Sequence, residues 1–206
     1  MRIVSLLFAC LLWNMTFGQK AVSKEISTLL TEGKPLQEVS LIHFVSNEVT
    51  NRSIPLEGLT KGTIVSIDEV AIEKLLNGNS DFIQLGLPLS ERQNLKLNLV
   101  RHEIFAEDFA LYTSSEPGIP FNYTPGVHYK GVVEGDPSSL VAVSVFNNEV
   151  MALISTGHGN MILGRIDNDR ESRHILYAEN DLDKNSGFEC STPDDGFGYT
   201  EEDLKP

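Results

Sequence analysis

The sequence predicts a mainly β protein, an antiparallel sheet or sandwich-like domain with one or two short helices. Two observations carry this. Short apolar runs with strand periodicity follow one another at close intervals, separated by Gly, Asn, Asp and Pro. Only one stretch combines helical spacing with both a start and a stop signal.

In chain order, Lys20 to Gly33 is a mixed-polarity stretch compatible with a helix that carries Ile26, Leu29 and Leu30 on one face. Leu36 to Val49 alternates Val39, Leu41, His43 and Val45, and Thr63 to Ile67 is β-branched, so both are expected as strands. Ser66 and Glu69 have capping-box spacing ahead of Val70, Ile72, Leu75 and Leu76, and Asn77-Gly78 closes the pattern as a helix stop. Strands are then expected over Asp81–Leu89 and Asn94–Phe105, the second alternating at Leu95, Leu97 and Leu99 with Val100 out of phase. Ser139–Phe146 and Glu149–Ile154 flank Asn147-Asn148 as a hairpin, with Gly135-Asp136-Pro137 as a tight turn before it. Asn160–Ile166 and Arg173–Tyr177 complete the strands.

The chain has 206 residues, 41% hydrophobic and 22% charged, enough for one domain with a sizeable core. The net charge of −13 is dispersed over many single carboxylates, which argues against nucleic acid and anionic membrane surfaces as partners. Residues 1–18 have the layout of a secretory signal peptide: Arg2, an apolar run from Ile3 to Trp13, then small or polar residues, with cleavage expected after Gly18. A secreted product follows. Leu7-Phe8-Ala9-Cys10 also reads as a lipidation box, but the apolar Leu11-Leu12-Trp13 that follows favours a plain signal. The β-rich domain is expected over 19–180. Residues 181–206 lose apolar periodicity and read as an acidic tail or linker.

Removing the signal leaves one thiol, Cys190, which cannot form an internal disulfide. On residues alone it is either an incidental or intermolecularly bridged cysteine, or a ligand. Several other motifs fail on spacing. His102-Glu103 lacks the second histidine of a zinc helix, since Ala106 stands there. Asp181, Asp183 and Asn185 resemble the start of a calcium loop, but Ser186 and Thr192 occupy the positions of its glycine and terminal glutamate. His43, His102, His128, His158 and His174 have no paired metal spacing, and Ser138-Ser139 lack the glycines of a nucleophile elbow. No catalytic constellation emerges from this chain. Asn51-Arg52-Ser53 and Asn122-Tyr123-Thr124 match the N-glycosylation pattern.

One long stretch is more specific. Tyr129-Lys130-Gly131-Val132-Val133-Glu134-Gly135-Asp136-Pro137-Ser138-Ser139-Leu140-Val141-Ala142-Val143-Ser144 is followed by Met151-Ala152-Leu153-Ile154, by Asn160-Met161-Ile162-Leu163 and by His174-Ile175-Leu176-Tyr177. Over about fifty residues this order resembles the propeptide of reprolysin/adamalysin-type zinc metalloproteases, in a form similar to secreted bacterial members. The resemblance implies a β-rich prodomain that keeps a protease latent and assists its folding. It implies a metalloprotease catalytic domain as partner, in cis or in trans, and the zinc of that domain as the only metal involved. It also gives Cys190 a role as inhibitory zinc ligand. A catalytic zinc holds three protein ligands and one water, and a thiolate at about 2.3 Å would displace that water. Around the cysteine this chain reads Phe188-Glu189-Cys190-Ser191, with an acid where the family often has a basic residue. The minimal basic site Arg170-Glu171-Ser172-Arg173 precedes the cysteine rather than following it. A free-standing secreted β-sandwich that binds a protein or glycan is the competing expectation.

Overall fold

The computed structural model describes residues 17–47, 58–78 and 80–182, with side chains from residue 21 onward. The chain is mainly β. Ten strands form a single curled sheet in the order β1-β4-β5-β6-β7-β8-β9-β10-β3-β2. They are β1 Gln37–Val39, β2 Ile42–Ser46, β3 Thr63–Ile67, β4 Phe82–Pro88, β5 Asn94–Arg101, β6 Val127–Val133, β7 Asp136–Phe146, β8 Glu149–Thr156, β9 Gly159–Arg165 and β10 His174–Ala178. Two α-helices, α1 Phe17–Thr31 and α2 Glu69–Asn77, and a 3-10 turn at Glu179–Asp181 complete the described elements.

The sheet is antiparallel apart from β1 and β4, which pair in parallel. Between those two strands the chain passes through β2, β3 and α2, a crossover of the length that parallel pairing requires. β1 and β2 lie at opposite ends of the strand order, yet only Ser40 and Leu41 separate them. Val39 and Ile42 can therefore be no more than about 11 Å apart. The sheet must curl until its edges approach, and side chains bridge them: the Thr63 hydroxyl on β3 donates to the Leu89 carbonyl beyond β4 at 2.8 Å, and the Asn47 amide donates to the same carbonyl at 3.3 Å.

One core fills the curl. Ile83, Leu85 and Leu87 of β4, Leu97 and Leu99 of β5, Tyr129 and Val133 of β6, and Val141, Val143 and Val145 of β7 all point into it. Helix α2 adds Ile72 and Leu75 to this core, while Val70 stays exposed. Its N-cap is Asp68, whose carboxylate accepts from the Ala71 amide at 3.0 Å, not Ser66. The reason is that β3 continues to Ile67, which pairs with Ile42 and leaves Ser66 inside a strand. The stop falls as expected: helix α2 ends at Asn77, and the Gly78 amide donates to the Leu75 carbonyl.

Helix α1 lies on the outer face of the sheet. Ile26, with Val22 and Leu29, packs on Phe82, Val132 and Val100, and Glu25 pairs with Lys130 at 3.2 Å. Leu30 points to solvent, so the apolar stripe runs through 22, 26 and 29 rather than through the expected 26, 29 and 30. Val100, out of phase with Leu95, Leu97 and Leu99, faces outward under this helix. The expected strand over 36–49 is split: Leu41 is buried, but His43 and Val45 are exposed, because the segment leaves one sheet edge and joins the other. No helix among the described residues is long and apolar enough to cross a membrane.

Candidate functional site

The stretch that carries the resemblance forms β6 and β7 with the two-residue turn Glu134-Gly135 between them, across the Val133–Asp136 pair. Gly135 has φ +80°, which a residue with a Cβ adopts only under strain. After the turn the register shifts, so that Gly131 pairs with Val141 and Val133 with Asp136, and β7 carries the excess residues as a bulge. Ser139 braces the bulge: its buried hydroxyl accepts from Val133 N at 2.8 Å and donates to the Asp136 carbonyl at 2.6 Å. Asp136 in turn accepts from the Ser138 hydroxyl and amide at 2.6 and 3.0 Å. The Ser138 hydroxyl is the main reason its carboxyl titrates below the ordinary range.

Glu134, Asp136 and Ser139 therefore shape the turn. Replacing Ser139 with Ala is expected to remove both bonds of this buried hydroxyl, to Val133 N and to the Asp136 carbonyl, at a cost of about 1–3 kcal/mol. Urea denaturation of the two proteins measures it, and a shift in midpoint near zero would show that the hydroxyl is dispensable.

Glu134 has a second contact. Its carboxylate accepts from the Gln84 amide at 3.0 Å, and Gln84 also donates to Asn98 at 2.9 Å. Gln84 and Asn98 are both buried on the outer face of β4 and β5, so this network ties the turn to the strands beside it. Inside the curl, Tyr129 donates to the Ser80 carbonyl at 3.0 Å, and burial pushes its phenol up to about 12.

His174 closes the motif at the start of β10. It is fully buried. The Val150 amide can only donate, and lies 3.1 Å from Nε2; the Ser172 carbonyl can only accept, and lies 3.1 Å from Nδ1. The ring is therefore neutral with its proton on Nδ1, and burial is the leading cause that lowers its pKa.

The registers divide the sheet into two ends. The Glu134-Gly135 turn, the Gly157-His158 turn and the C-terminus of β10 lie at one end; the β5–β6 loop, Asn147-Asn148 and the 166–173 loop lie at the other. At the first end the chain leaves the sheet. The Thr60 amide and hydroxyl donate to the Asp181 carbonyl at 2.9 and 2.8 Å, and Leu182 bridges Leu59. A cleft of about 340 Å³ opens there over Leu89, Met161 and Leu176, with Lys61 and Asp181 among its lining residues.

Cys190 lies outside the described residues, as do Asn51, Asp183 and Asn185. Asp181, the first residue of the calcium-like run, ends the 3-10 turn. Asn122 is exposed on the β5–β6 loop. Of the histidines, His43, His102 and His158 are exposed, while His128 is half-buried on β6. The 166–173 loop is pinned: Arg173 donates to Asp169 through its guanidinium at 2.6 and 3.1 Å and through its backbone amide at 2.8 Å. Those side-chain bonds hold the Asp169 carboxyl down at about 2. Among the described residues no group of three or more His, Cys, Asp or Glu is placed to hold a metal ion.

The strand expected over Asn94–Phe105 ends at Arg101, and sequence reasoning missed the β5–β6 loop that follows, residues 102–126. It gathers Phe105 against Phe109 with ring centroids 4.4 Å apart and against Tyr123 at 6.1 Å, and it exposes Ile104, Leu111, Tyr112, Ile119 and Phe121. Its signal in the sequence is aromatic density without any strand or helix period. Neither a family model nor a curated protein matches the chain.

Proposed function

We propose that the chain is the propeptide region of a secreted zinc metalloprotease precursor, which keeps the protease latent and assists its folding, with Cys190 as the ligand that occupies the zinc of the catalytic domain. The observation that supports this reading is the anchored exit at Leu182, on the same end of the sheet as the Glu134-Gly135 turn. Cys190 follows Leu182 by eight positions along the chain. Such a tether spans at most about 27 Å, so a domain that rests on the turn end lies within reach of the thiol. On the catalytic domain, the zinc would lower the thiol pKa enough for the bond to form at neutral pH.

The test is inhibition of a reprolysin-type catalytic domain by the chain and by Cys190→Ala. The reading expects the wild type to inhibit and the variant to be at least about tenfold weaker, a difference of about 1.4 kcal/mol in binding. Equal inhibition would remove the zinc ligand from the account, and no inhibition by either would remove the prodomain reading.

The exposed aromatic loop favours a second reading, a free-standing secreted binding module that engages a protein or glycan through 102–126. Under that reading, blocking Cys190 leaves partner binding unchanged.

A further inference from the structure

The start of the β5–β6 loop is tied to the sheet by the His102 amide, which donates to the His128 carbonyl at 2.8 Å, and by Glu103, which pairs with Arg101 at 3.0 Å. The His128 ring stands on β6 at the root of the loop, edge-on to Phe105 of the loop at 6.0 Å and to Phe146 of β7 at 5.8 Å. Its Nδ1 is 2.9 Å from the Ser144 hydroxyl. Its Nε2 is buried against these aromatic walls and has no hydrogen-bond partner among the described residues. A neutral ring tolerates this when Nε2 is the bare acceptor and Nδ1 donates to Ser144. An imidazolium does not, because both nitrogens then carry protons and Nε2–H would sit charged and unpaired in apolar surroundings.

We propose that His128 is an acid-sensitive latch for the 102–126 loop, whose protonation forces Phe105 away from the ring so that water can reach Nε2. Phe105 does not move alone. It packs on Phe109 and Tyr123, and with Leu111 and Phe121 these line a cleft of about 320 Å³, so releasing Phe105 opens the whole aromatic cluster. The loop is poorly insured against this, because Ile104, Tyr112, Ile119 and Phe121 are already exposed.

The charged and titratable groups that act on the ring both come from the start of the loop. Glu103 favours the imidazolium and His102 opposes it, while β7 presents only the Ser144 hydroxyl and Phe146. Burial is the largest influence and lowers the pKa of the closed state below 6.5. The closed loop is thus fully favoured above the ordinary histidine value and loses that advantage as pH falls through the lower value of the closed state. This latch does not depend on the protease reading.

Amide hydrogen exchange of the full chain tests it, followed by mass spectrometry on peptides spanning 105–123, where the Phe121 amide is protected by the Leu111 carbonyl at 2.7 Å. Wild type is compared with His128→Phe at each pH, so that the pH dependence of intrinsic exchange cancels. The two proteins should exchange alike at about pH 7.5, and wild type should exchange about tenfold faster at about pH 5. Equal rates at the lower pH, or an acid loosening that His128→Phe retains, would overturn the latch. Should His128→Phe lack the far-UV spectrum of the wild type, His128→Gln, which cannot gain a proton in this range, carries the same expectation.

Discussion

Gly131→Ala is expected to prevent stable folding, at a cost on the order of 4 kcal/mol or more. A Cβ at this position would fall on the Asn98 carbonyl oxygen and within 2.9 Å of the Leu99 Cα, both backbone atoms of the neighbouring strand. Neither can turn aside as a side chain would. Relief would require β5 and β6 to separate at the centre of the sheet, where Leu97, Leu99, Tyr129 and Val133 share one core. Gly164 of β9 provides the control, since a Cβ there meets nothing within 4 Å and its φ is not positive. Gly164→Ala is expected to be neutral or stabilising by up to about 1 kcal/mol. Thermal unfolding of the pair separates a steric demand at Gly131 from a general effect of adding a methyl group to a strand. Similar melting temperatures would mean that the strands around Gly131 can shift.

The second large effect is His174→Ala, expected to cost about 3–5 kcal/mol from the cavity and from the Val150 amide left without an acceptor. At about 2–4 °C per kcal/mol, the melting temperature should fall by about 10 °C. The pH dependence carries a sign as well. Burial lowers the pKa of His174 in the fold, so the unfolded chain binds the proton more tightly. The stabilisation from the neutral ring is complete above the unfolded value of 6.5 and is lost as pH falls through the lower folded value. Wild type should therefore weaken with acid across this window, and His174→Ala should weaken less steeply there. A variant with the wild-type slope would show that His174 titrates normally in the fold. His128 shifts in the same direction, so some acid dependence remains in His174→Ala.

Much of the sheet was legible because its strands keep a period of two with one buried face. β7 is the clearest case: Ser139, Val141, Val143 and Val145 are buried, Leu140 and Ala142 face outward, and the Asn147-Asn148 turn leads into β8. Where the period failed, tertiary context had intervened. Val100 is apolar on the outer face because α1 covers it, and the alternation of Val39 to Val45 breaks because one segment serves two sheet edges. The N-cap is Asp68 rather than Ser66 because β3 runs to Ile67, as its β-branched residues predict, and pairs with β2 there, which leaves Ser66 inside a strand.

The candidate site was legible in a different way. The order of Gly131, Glu134, Gly135, Asp136 and Ser139 was visible, but not what each does. The reason Gly131 must be glycine is an oxygen on another strand, and the Ser139 hydroxyl meets the Val133 amide only because the bulge brings the two together. His174 read as an ordinary histidine on a strand, because its two partners, Val150 and Ser172, are set by the pairing of β8 and β10 with their neighbours. These roles are structural, and they account for these residues in this order without a ligand. The chemistry proposed for the chain rests on Cys190, which no periodicity or pairing rule touches.

The most direct measurement is therefore of the metal itself. A reprolysin-type catalytic domain with cobalt(II) in place of zinc should gain a sulfur-to-metal charge-transfer absorption when the chain is added, because a thiolate has entered the open coordination position. The same addition of Cys190→Ala should leave the spectrum of the water-ligated metal. If the chain binds and inhibits while no sulfur band forms, latency is achieved by surface contact, and the role assigned to Cys190 is wrong.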